Sequence, residues 1–159
     1  MKVELHVRPV EAGDYAGWRP LWDGYNAFYG RSGATALDER ITARTWQWFF
    51  EPDANVQAHV ATLGDEIVGL VHLVFHRSTS RLRDVCYLQD LFTSEAHRGR
   101  GVGRALIERV IAVAAQAGSS RVYWTTQETN AAGRALYDKV AEHRGVIVYT
   151  REIPDGHPA

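Results

Sequence analysis

The sequence predicts a mixed α/β protein in the order β-α-α-β-β-β-α-β-α-β, and three observations lead to this prediction. Residues 3–10 alternate apolar and polar side chains, which is typical of a half-buried strand. Residues 56–63 and 66–77 are rich in β-forming residues and are separated by Gly-Asp, which predicts an antiparallel hairpin. Two strand-helix-strand units follow, so we expect a mixed central sheet flanked by helices.

The helices are predicted from apolar residues that recur at spacings of three and four. This pattern covers residues 15–30, 36–50, 103–118 and 130–145. Continuous apolar runs predict the remaining strands at residues 84–94, 120–128 and 146–152. We expect one domain over residues 1–152, because 159 residues suffice for a single core, and a short polar tail over residues 153–159.

Composition and charge exclude several classes of protein. The chain is 45% hydrophobic and 23% charged, which is typical of a globular fold. A formal net charge of −1 gives no basic excess for nucleic acid, and no stretch reaches the ~18 apolar residues of a membrane span. The start of the chain lacks the apolar block of a signal peptide, and the one cysteine, Cys86, lies in an apolar run. We therefore expect a cytoplasmic protein with a core cysteine and neither a nucleic-acid nor a membrane partner.

The stretch AHRGRGVGRA, residues 96–105, lies between a predicted strand and a predicted helix. Such a loop is common at phosphate sites, because the amides of the first helical turn and the positive end of the helix dipole face the anion. A nucleoside triphosphate loop would need Gly-Lys-Ser/Thr, but Gly103 is followed by Arg104 and Ala105. A dinucleotide loop would need Gly or Ala at position 106, which is leucine. Both of these alternatives are excluded.

A third kind of phosphate loop fits. The span from Arg98 to Gly103 reads Arg-x-x-Gly-x-Gly and resembles the acetyl-CoA loop of the GCN5-related N-acetyltransferases, the GNAT family. A second match is TQETNAAGRALYDK, in which Asn130 is followed seven residues later by Tyr137. The predicted order of elements is that of the GNAT fold, so the resemblance covers nearly the whole chain. Within the family, the sequence looks most like the fungal histone and polyamine acetyltransferase group and its bacterial relatives.

The resemblance implies acetyl-CoA as the acyl donor. Glycines keep the loop backbone open to the diphosphate, and neighbouring arginines add charge-assisted bonds to phosphate oxygens. The strand YLQDLFT is implied to bind the pantetheine arm through its main chain, and we expect a β-bulge near Asp90 or Leu91. The residues implied to contact the cofactor are Leu91, Phe92, Thr93, Arg98, Gly99, Arg100, Gly101, Val102, Gly103, Arg104, Asn130 and Tyr137.

The same resemblance implies roles in the chemistry. Tyr137 matches the tyrosine that the family uses beside the sulfur, where a phenol can donate to the leaving thiolate. The main-chain N–H of Leu91 is expected to stabilise the oxyanion. Related diamine acetyltransferases carry a glutamate where this chain has Gln89, and an amide cannot accept the proton of the amine, although it can hold a water molecule or the amine itself. Strand alternation turns Asp90 to the opposite face from Gln89 unless the bulge intervenes.

The acceptor is expected to contact the first two helices and the loop between them, through Trp22, Tyr25, Tyr29 and Arg31, together with Gln89. Arg31 suits a carboxylate, whereas the acidic residues Asp23, Asp90 and Glu128 suit a cation. An amino acid and a polyamine-like acceptor therefore both stay open. His72 and His76 share a strand face without a third ligand at metal spacing, so we expect ordinary sheet surface there and no metal.

The function predicted from these residues is transfer of acetyl from acetyl-CoA to the primary amine of a small molecule, by direct attack in a ternary complex. One alternative is an acetyltransferase that acts on lysine in proteins or peptides. Another is an acyl-CoA-binding sensor without catalysis, for which Gln89 is the argument. The strand predicted at residues 146–152 can pair or exchange with a second subunit, so we expect a homodimer on analogy.

Overall fold

The central sheet has five strands in the order β1-β2-β3-β4-β5. The computed structural model describes residues 2–154, and the chain divides after Thr125 into two compact units, each of which is described by itself. The first unit contains β1 (Leu5–Pro9), α1 (Tyr15–Phe28), α2 (Glu39–Trp48), β2 (Val56–Leu63), β3 (Glu66–His76), β4 (Val85–Thr93), α3 (Val102–Gln116) and β5 (Val122–Tyr123). The second unit contains α4 (Ala131–Val140).

The sheet is mixed, as the sequence predicts. Strands β1 to β4 pair antiparallel with their neighbours, and β4 and β5 pair in parallel. The predicted hairpin is β2–β3, in which Leu63 lies opposite Glu66 across the Gly-Asp turn. The parallel pair needs a crossover connection, which α3 provides. The α/β class and the mixed sheet are thus confirmed.

Helices cover both faces of the sheet in the first unit. On one face, Trp18 of α1 packs against Leu70 of β3, and Trp46 of α2 and Phe49 just after it join the same cluster. On the other face, α3 contacts β3 and β4 and buries Leu106 and Ile107 completely. Because residues two apart in a strand point to the same face, Leu70 and His72 both face α1.

Cys86 lies within β4 and is fully buried. Burial raises the pKa of its thiol to about 11, so the sulfur is protonated at neutral pH. The prediction of a core cysteine is confirmed.

The predicted strand at residues 146–152 is not formed. Within the described part of the second unit, residues 126–154, the one regular element is α4, and the chain after Val140 is irregular. A strand needs a neighbour for its main-chain groups, and this unit offers no second strand. Of the predicted tail, residues 155–159 lie outside the described residues. The single-domain prediction stays a prediction.

Candidate active site

Glycines give the loop between β4 and α3 a backbone conformation that other residues rarely adopt. Gly99 has a φ of +74° and Gly101 a φ of +82°, both in the left-handed region. A Cβ added at either position would meet no atom within 4 Å, so conformation rather than lack of space requires glycine there. Helix α3 begins at Val102, directly after the second of these glycines.

The amides of this loop form an anion cradle. From Gly99 to Arg104, six successive N–H groups donate to no acceptor among the residues that the structure describes. The last three belong to the first turn of α3, where the helix dipole is positive. Neighbouring free amides at a helix start bind phosphate groups well. The cradle therefore fits the diphosphate of coenzyme A.

The three arginines of the loop have different surroundings. The Arg98 guanidinium donates to the Thr93 carbonyl over 3.3 Å and lies 5.5 Å from the centre of the Phe92 ring. Arg104 pairs with Glu108 one turn along α3, over 3.0 Å. Arg100 is exposed and forms no ion pair within residues 2–154. Of the three cations, Arg100 is therefore the most available to an incoming phosphate.

The edge of β4 that faces β5 is open beyond residues 86–87, the only positions at which these two strands pair in the described region. The Ser94 amide donates to the Val68 carbonyl on β3 over 2.8 Å. Because the main-chain groups of successive residues point to opposite sides, those of Leu91 and Thr93 face the open edge. An extended, peptide-like ligand can add itself to such an edge.

The side chain of Phe92 lies on the face of the sheet that α1 covers. Its ring packs against the aromatic cluster of that helix. A Cβ on Gly24 would come within 2.9 Å of the ring, so glycine lets α1 approach β4 closely at this point. The side chain of Phe92 therefore joins β4 to α1.

The predicted β-bulge is confirmed, and the extra residue is Gln89. Asp90 lies opposite His72, whereas Leu88 lies opposite Leu73, so Gln89 has no partner on β3. Its side chain is exposed. The bulge changes the alternation of β4, and Asp90 consequently faces α1 beside His72.

A buried series of hydrogen bonds connects α1, β3 and β4, and we call Trp18, His72 and Asp90 the buried triad. The Trp18 indole Nε1 donates to His72 Nε2 over 3.0 Å, and His72 Nδ1 lies 2.9 Å from Asp90 Oδ2. His72 is 2% exposed, so the prediction that it is ordinary sheet surface is wrong. The apolar residue two positions earlier, Leu70, was the signal that this face of β3 is covered.

Two tyrosines are influenced by both an anion and a cation. Burial raises the pKa of the Tyr25 phenol, and the charge of Asp90 and a hydrogen bond with it act in the same direction. Burial and the charge of Asp90 also raise the pKa of Tyr29. Arg31 opposes both shifts. Its guanidinium lies 5.8 Å from the centre of the Tyr25 ring and 5.5 Å from that of Tyr29.

Residues of α1 hold the Arg31 side chain in place. Its Nε donates to Asn26 Oδ1 over 2.7 Å, and the Asn26 amide donates to the Trp22 carbonyl over 2.9 Å. Both of these α1 residues are buried, so they form a fixed support. The Nη groups of Arg31 donate to no acceptor within the described range. They remain available for a ligand.

The other predicted acceptor residues are less accessible. Trp22 is buried, and its Nε1 donates to Thr42 Oγ1 over 3.0 Å, which joins α1 to α2. Asp23 is exposed and pairs with Arg19 over 2.9 Å. In the first unit, Asp90 is thus the acidic group that faces the tyrosines and Arg31.

In the second unit, Asn130 is the N-cap of α4. Its Oδ1 accepts from the Gly133 amide over 3.2 Å, and its Nδ2 donates to Thr126 Oγ1 over 2.9 Å. Tyr137 follows two turns later and is half-buried. Glu128 is exposed at the start of this unit, and its carbonyl accepts from Arg134 over 2.9 Å. The asparagine thereby fixes where the helix that carries Tyr137 begins.

His76 has partners of its own. Its Nδ1 donates to the Arg77 carbonyl over 2.8 Å, so its Nε2 accepts from the Tyr123 hydroxyl over 2.5 Å. Among residues 2–154, no three His, Cys, Asp or Glu side chains are grouped as metal ligands would be. No helix in the same range has both the length and the apolar character to cross a membrane.

Comparisons with known proteins agree with this geometry. A family model described as the acetyltransferase (GNAT) family matches residues 18–141. The chain is 31% identical over 147 residues to the D-amino-acid N-acetyltransferase HPA3 of Saccharomyces cerevisiae, which covers 91% of this chain and 89% of the relative. It is 25% identical over 153 residues to YhfO of Bacillus subtilis, an uncharacterised N-acetyltransferase, covering 94% and 99% of the two chains.

A solved structure shows the same fold. The enzyme AAC(6')-Iy, in complex with the bisubstrate analogue CoA-S-monomethyl-acetylneamine, has a TM-score of 0.77 to this chain. The sequence identity is 15%, and the match covers 95% of this chain and 99% of the other. Because the family model spans most of the sequence and the yeast relative is similar along nearly its whole length, the chain belongs to the GNAT family of acetyltransferases.

Proposed function

We propose that this acetyltransferase transfers acetyl from acetyl-CoA to the primary amine of a free amino acid, by direct attack in a ternary complex. The observation that carries the proposal is that Tyr25 of α1 and Tyr29, just after this helix, lie close to Arg31 and within the electrostatic influence of Asp90. A zwitterion needs both charges in one site. The yeast relative named a D-amino-acid N-acetyltransferase supports the same class of acceptor.

The donor side follows from the loop and the open edge of β4. Free amides between Gly99 and Arg104 bind the diphosphate, and Arg100 contributes a charge-assisted bond. Main-chain groups of Leu91 and Thr93 pair with the pantetheine arm, while Phe92 forms the wall on the α1 side. The full set of residues proposed to contact the donor is Leu91, Phe92, Thr93, Arg98, Gly99, Arg100, Gly101, Val102, Gly103, Arg104, Asn130 and Tyr137.

Acetyl-CoA supplies the thioester, and residues of the chain assist at three atoms. The Leu91 amide stabilises the negative charge that develops on the carbonyl oxygen. Tyr137 gives its phenolic proton to the sulfur as the carbon–sulfur bond breaks and the carbon–nitrogen bond forms. Gln89, exposed on the bulge, orients the amine or a water molecule that takes the amine's proton to solvent.

The acceptor side distinguishes an amino acid from other amines. The Nη groups of Arg31 suit the substrate carboxylate, because a guanidinium binds carboxylates in a bidentate manner. Tyr25 and Tyr29 carry their rings within 6 Å of this cation, and the charge of Asp90 acts on both phenols. Trp22 is buried under the same helix and supports the position of α1. A polyamine has no group for Arg31 and is the less favoured acceptor.

The experiment is an amine panel in which thiol release from acetyl-CoA is measured. The panel contains D- and L-amino acids, their carboxamides, spermidine, an aminoglycoside and a lysine peptide. We expect amino acids to react fastest and their carboxamides at least about 10-fold more slowly, because a carboxamide cannot form the charged pair with Arg31.

The other outcomes decide between the alternatives. Modification of the peptide alone would show a protein acetyltransferase. Release at the rate of background hydrolysis with every amine would show an acyl-CoA sensor. A cytoplasmic location and a homodimer stay predictions, and light scattering of the purified protein tests the second.

A further inference from the structure

The buried triad gives the Asp90 carboxylate a fixed orientation on the α1 side of the sheet. We propose that Asp90 binds the acceptor's amino group, and that Trp18 and His72 act through Asp90 as positioning residues. The inference rests on the proposed function, because it assigns a role in amine binding. Trp18, His72 and Asp90 lie outside both the glycine loop at residues 98–103 and the segment from Asn130 to Tyr137.

The hydrogen bonds of the triad allow one arrangement of protons. An indole N–H is only a donor, so His72 Nε2 must be the acceptor of the bond from Trp18 and carries no proton. The proton of the neutral imidazole is then on Nδ1, which donates to Asp90 Oδ2. Trp18 thus selects the tautomer in which His72 donates to the carboxylate.

This arrangement gives the Asp90 carboxylate a hydrogen-bond donor inside the sheet. A buried carboxylate is unfavourable unless donors compensate for the lost water, and here His72 Nδ1 lies 2.9 Å from Asp90 Oδ2. The His72 side chain is 2% exposed and that of Asp90 is 10% exposed. The imidazole is therefore enclosed in the core, whereas the Asp90 side chain keeps a small exposed part.

The surroundings of Asp90 make it the anionic group of the site. The titratable or charged residues that face it or the tyrosines beside it are His72 on β3, Tyr25 and Tyr29 at α1, Arg31 in the following loop and Tyr87 on β4. None of these five residues carries a carboxylate. An ammonium group that enters the site consequently has Asp90 as its counter-ion.

The bulge also bears on Gln89, which stands where related diamine acetyltransferases carry a glutamate. Position 89 is exposed and carries no charge in this chain, whereas the extra residue turns Asp90 toward α1. An acid at position 89 is therefore not needed to attract the amine. The charge is supplied one residue later and from within the sheet.

Two substitutions of similar shape test the positioning role. His72→Asn keeps an N–H near the position of Nδ1, and His72→Leu removes it. We expect His72→Leu to raise the KM of the amino acid about 10- to 100-fold, as for loss of a hydrogen bond to a charged group. We expect His72→Asn to recover most of this loss, and the KM of acetyl-CoA to stay within about 3-fold of wild type in both variants.

The two variants separate positioning from packing. A purely structural role would favour the apolar leucine in this buried place, so equal amine KM values for Leu and Asn in folded protein would overturn the inference. Asp90→Asn is the direct test of the charge, and an unchanged amine KM there would also overturn it. A wild-type protein that acetylates no amine at all would instead contradict the proposed function.

One measurement needs no substitution of His72 or Asp90. In protein labelled with ¹⁵N-histidine, nitrogen–proton correlations distinguish the two neutral tautomers. We expect His72 in the form protonated on Nδ1, and Trp18→Phe to release this preference. Observation of the form protonated on Nε2 in the wild-type protein would contradict the triad even if both His72 variants fail to fold.

Discussion

The proposed donor side and the proposed acceptor side of this acetyltransferase are built in different ways. The donor side uses consecutive residues, the loop at 98–104 and the strand end at 91–93, and its groups are mostly main-chain amides. The acceptor side uses side chains that are distant in sequence, such as Trp18, His72 and Asp90, which are separated by 54 and 18 positions. In the proposed function, the cofactor is bound by local backbone geometry, whereas the acceptor is selected by tertiary packing.

The largest effect that we expect is on the donor side. Gly101→Asp puts a carboxylate at the start of α3, where it competes with the diphosphate for the free amides and repels it. Coenzyme A should bind at least about 100-fold more weakly, measured by isothermal titration calorimetry.

Gly30→Asp is the matched control for that variant. Gly30 also has a left-handed φ, +77°, and also has open space around it, so the backbone cost of the substitution is the same. Coenzyme A binding should remain within about 3-fold of wild type, because Gly30 lies outside the cradle. Equal weakening in the two variants would mean that strain, and not the cradle, explains the loss.

The next effect is on the chemistry of the thiolate. Tyr137→Phe removes the proposed proton donor, and kcat should fall about 10- to 1000-fold while the Kd of coenzyme A stays nearly constant. Tyr149→Phe is the control, since Tyr149 is an exposed tyrosine in the same unit. A kcat of Tyr137→Phe equal to that of the control would remove Tyr137 from the reaction.

The contrast between the two sides explains what the sequence could predict. The glycines and their order predict the anion cradle, because a left-handed backbone before a helix needs these residues whatever lies around them. The α/β class follows from local periodicity in the same way. The strand at residues 146–152 was predicted from apolar composition alone, and a strand also needs a neighbour, which composition does not specify.

The burial of His72 could not be predicted by the same means. Its role depends on Trp18, which α1 brings over β3, and on a bulge that turns Asp90 toward it. Alternation along β3 was the one available signal, since Leu70 and His72 share a face. A histidine on a face covered by an aromatic helix has to find polar partners.

A smaller, selective effect is expected on the acceptor side. Arg31→Met should lower kcat/KM about 10- to 100-fold for an amino acid and leave the value for its carboxamide nearly unchanged, because only the acid uses the guanidinium. Arg44→Met is the matched control, since Arg44 also lies over a ring, that of Trp48, at 5.3 Å. Equal losses for acid and carboxamide would show that Arg31 supports the fold of the site instead.

The smallest effect concerns the other buried histidine, on the α3 face. His59 of β2 accepts a hydrogen bond from Arg109 over 3.5 Å, and burial together with this cation lowers its pKa from 6.5 to about 4. The unfolded chain therefore binds a proton at a higher pH than the folded one. The contribution of the neutral His59 side chain to the free energy of unfolding is complete above pH 6.5. It is lost as the pH falls from there toward 4.

Between pH 7.5 and 5.0 this linkage lowers the free energy of unfolding by up to about 2 kcal/mol. Urea unfolding followed by tryptophan fluorescence at the two pH values measures it, and His59→Gln, which cannot titrate, should lose less stability over the same interval. The carboxyl of Asp14, whose pKa the Arg8 hydrogen bond lowers, responds at more acidic pH and does not interfere. An equal loss in wild type and variant would mean that His59 does not couple folding to pH. The smaller loss would show that a buried histidine on the α3 face serves stability, in contrast to His72 on the acceptor side.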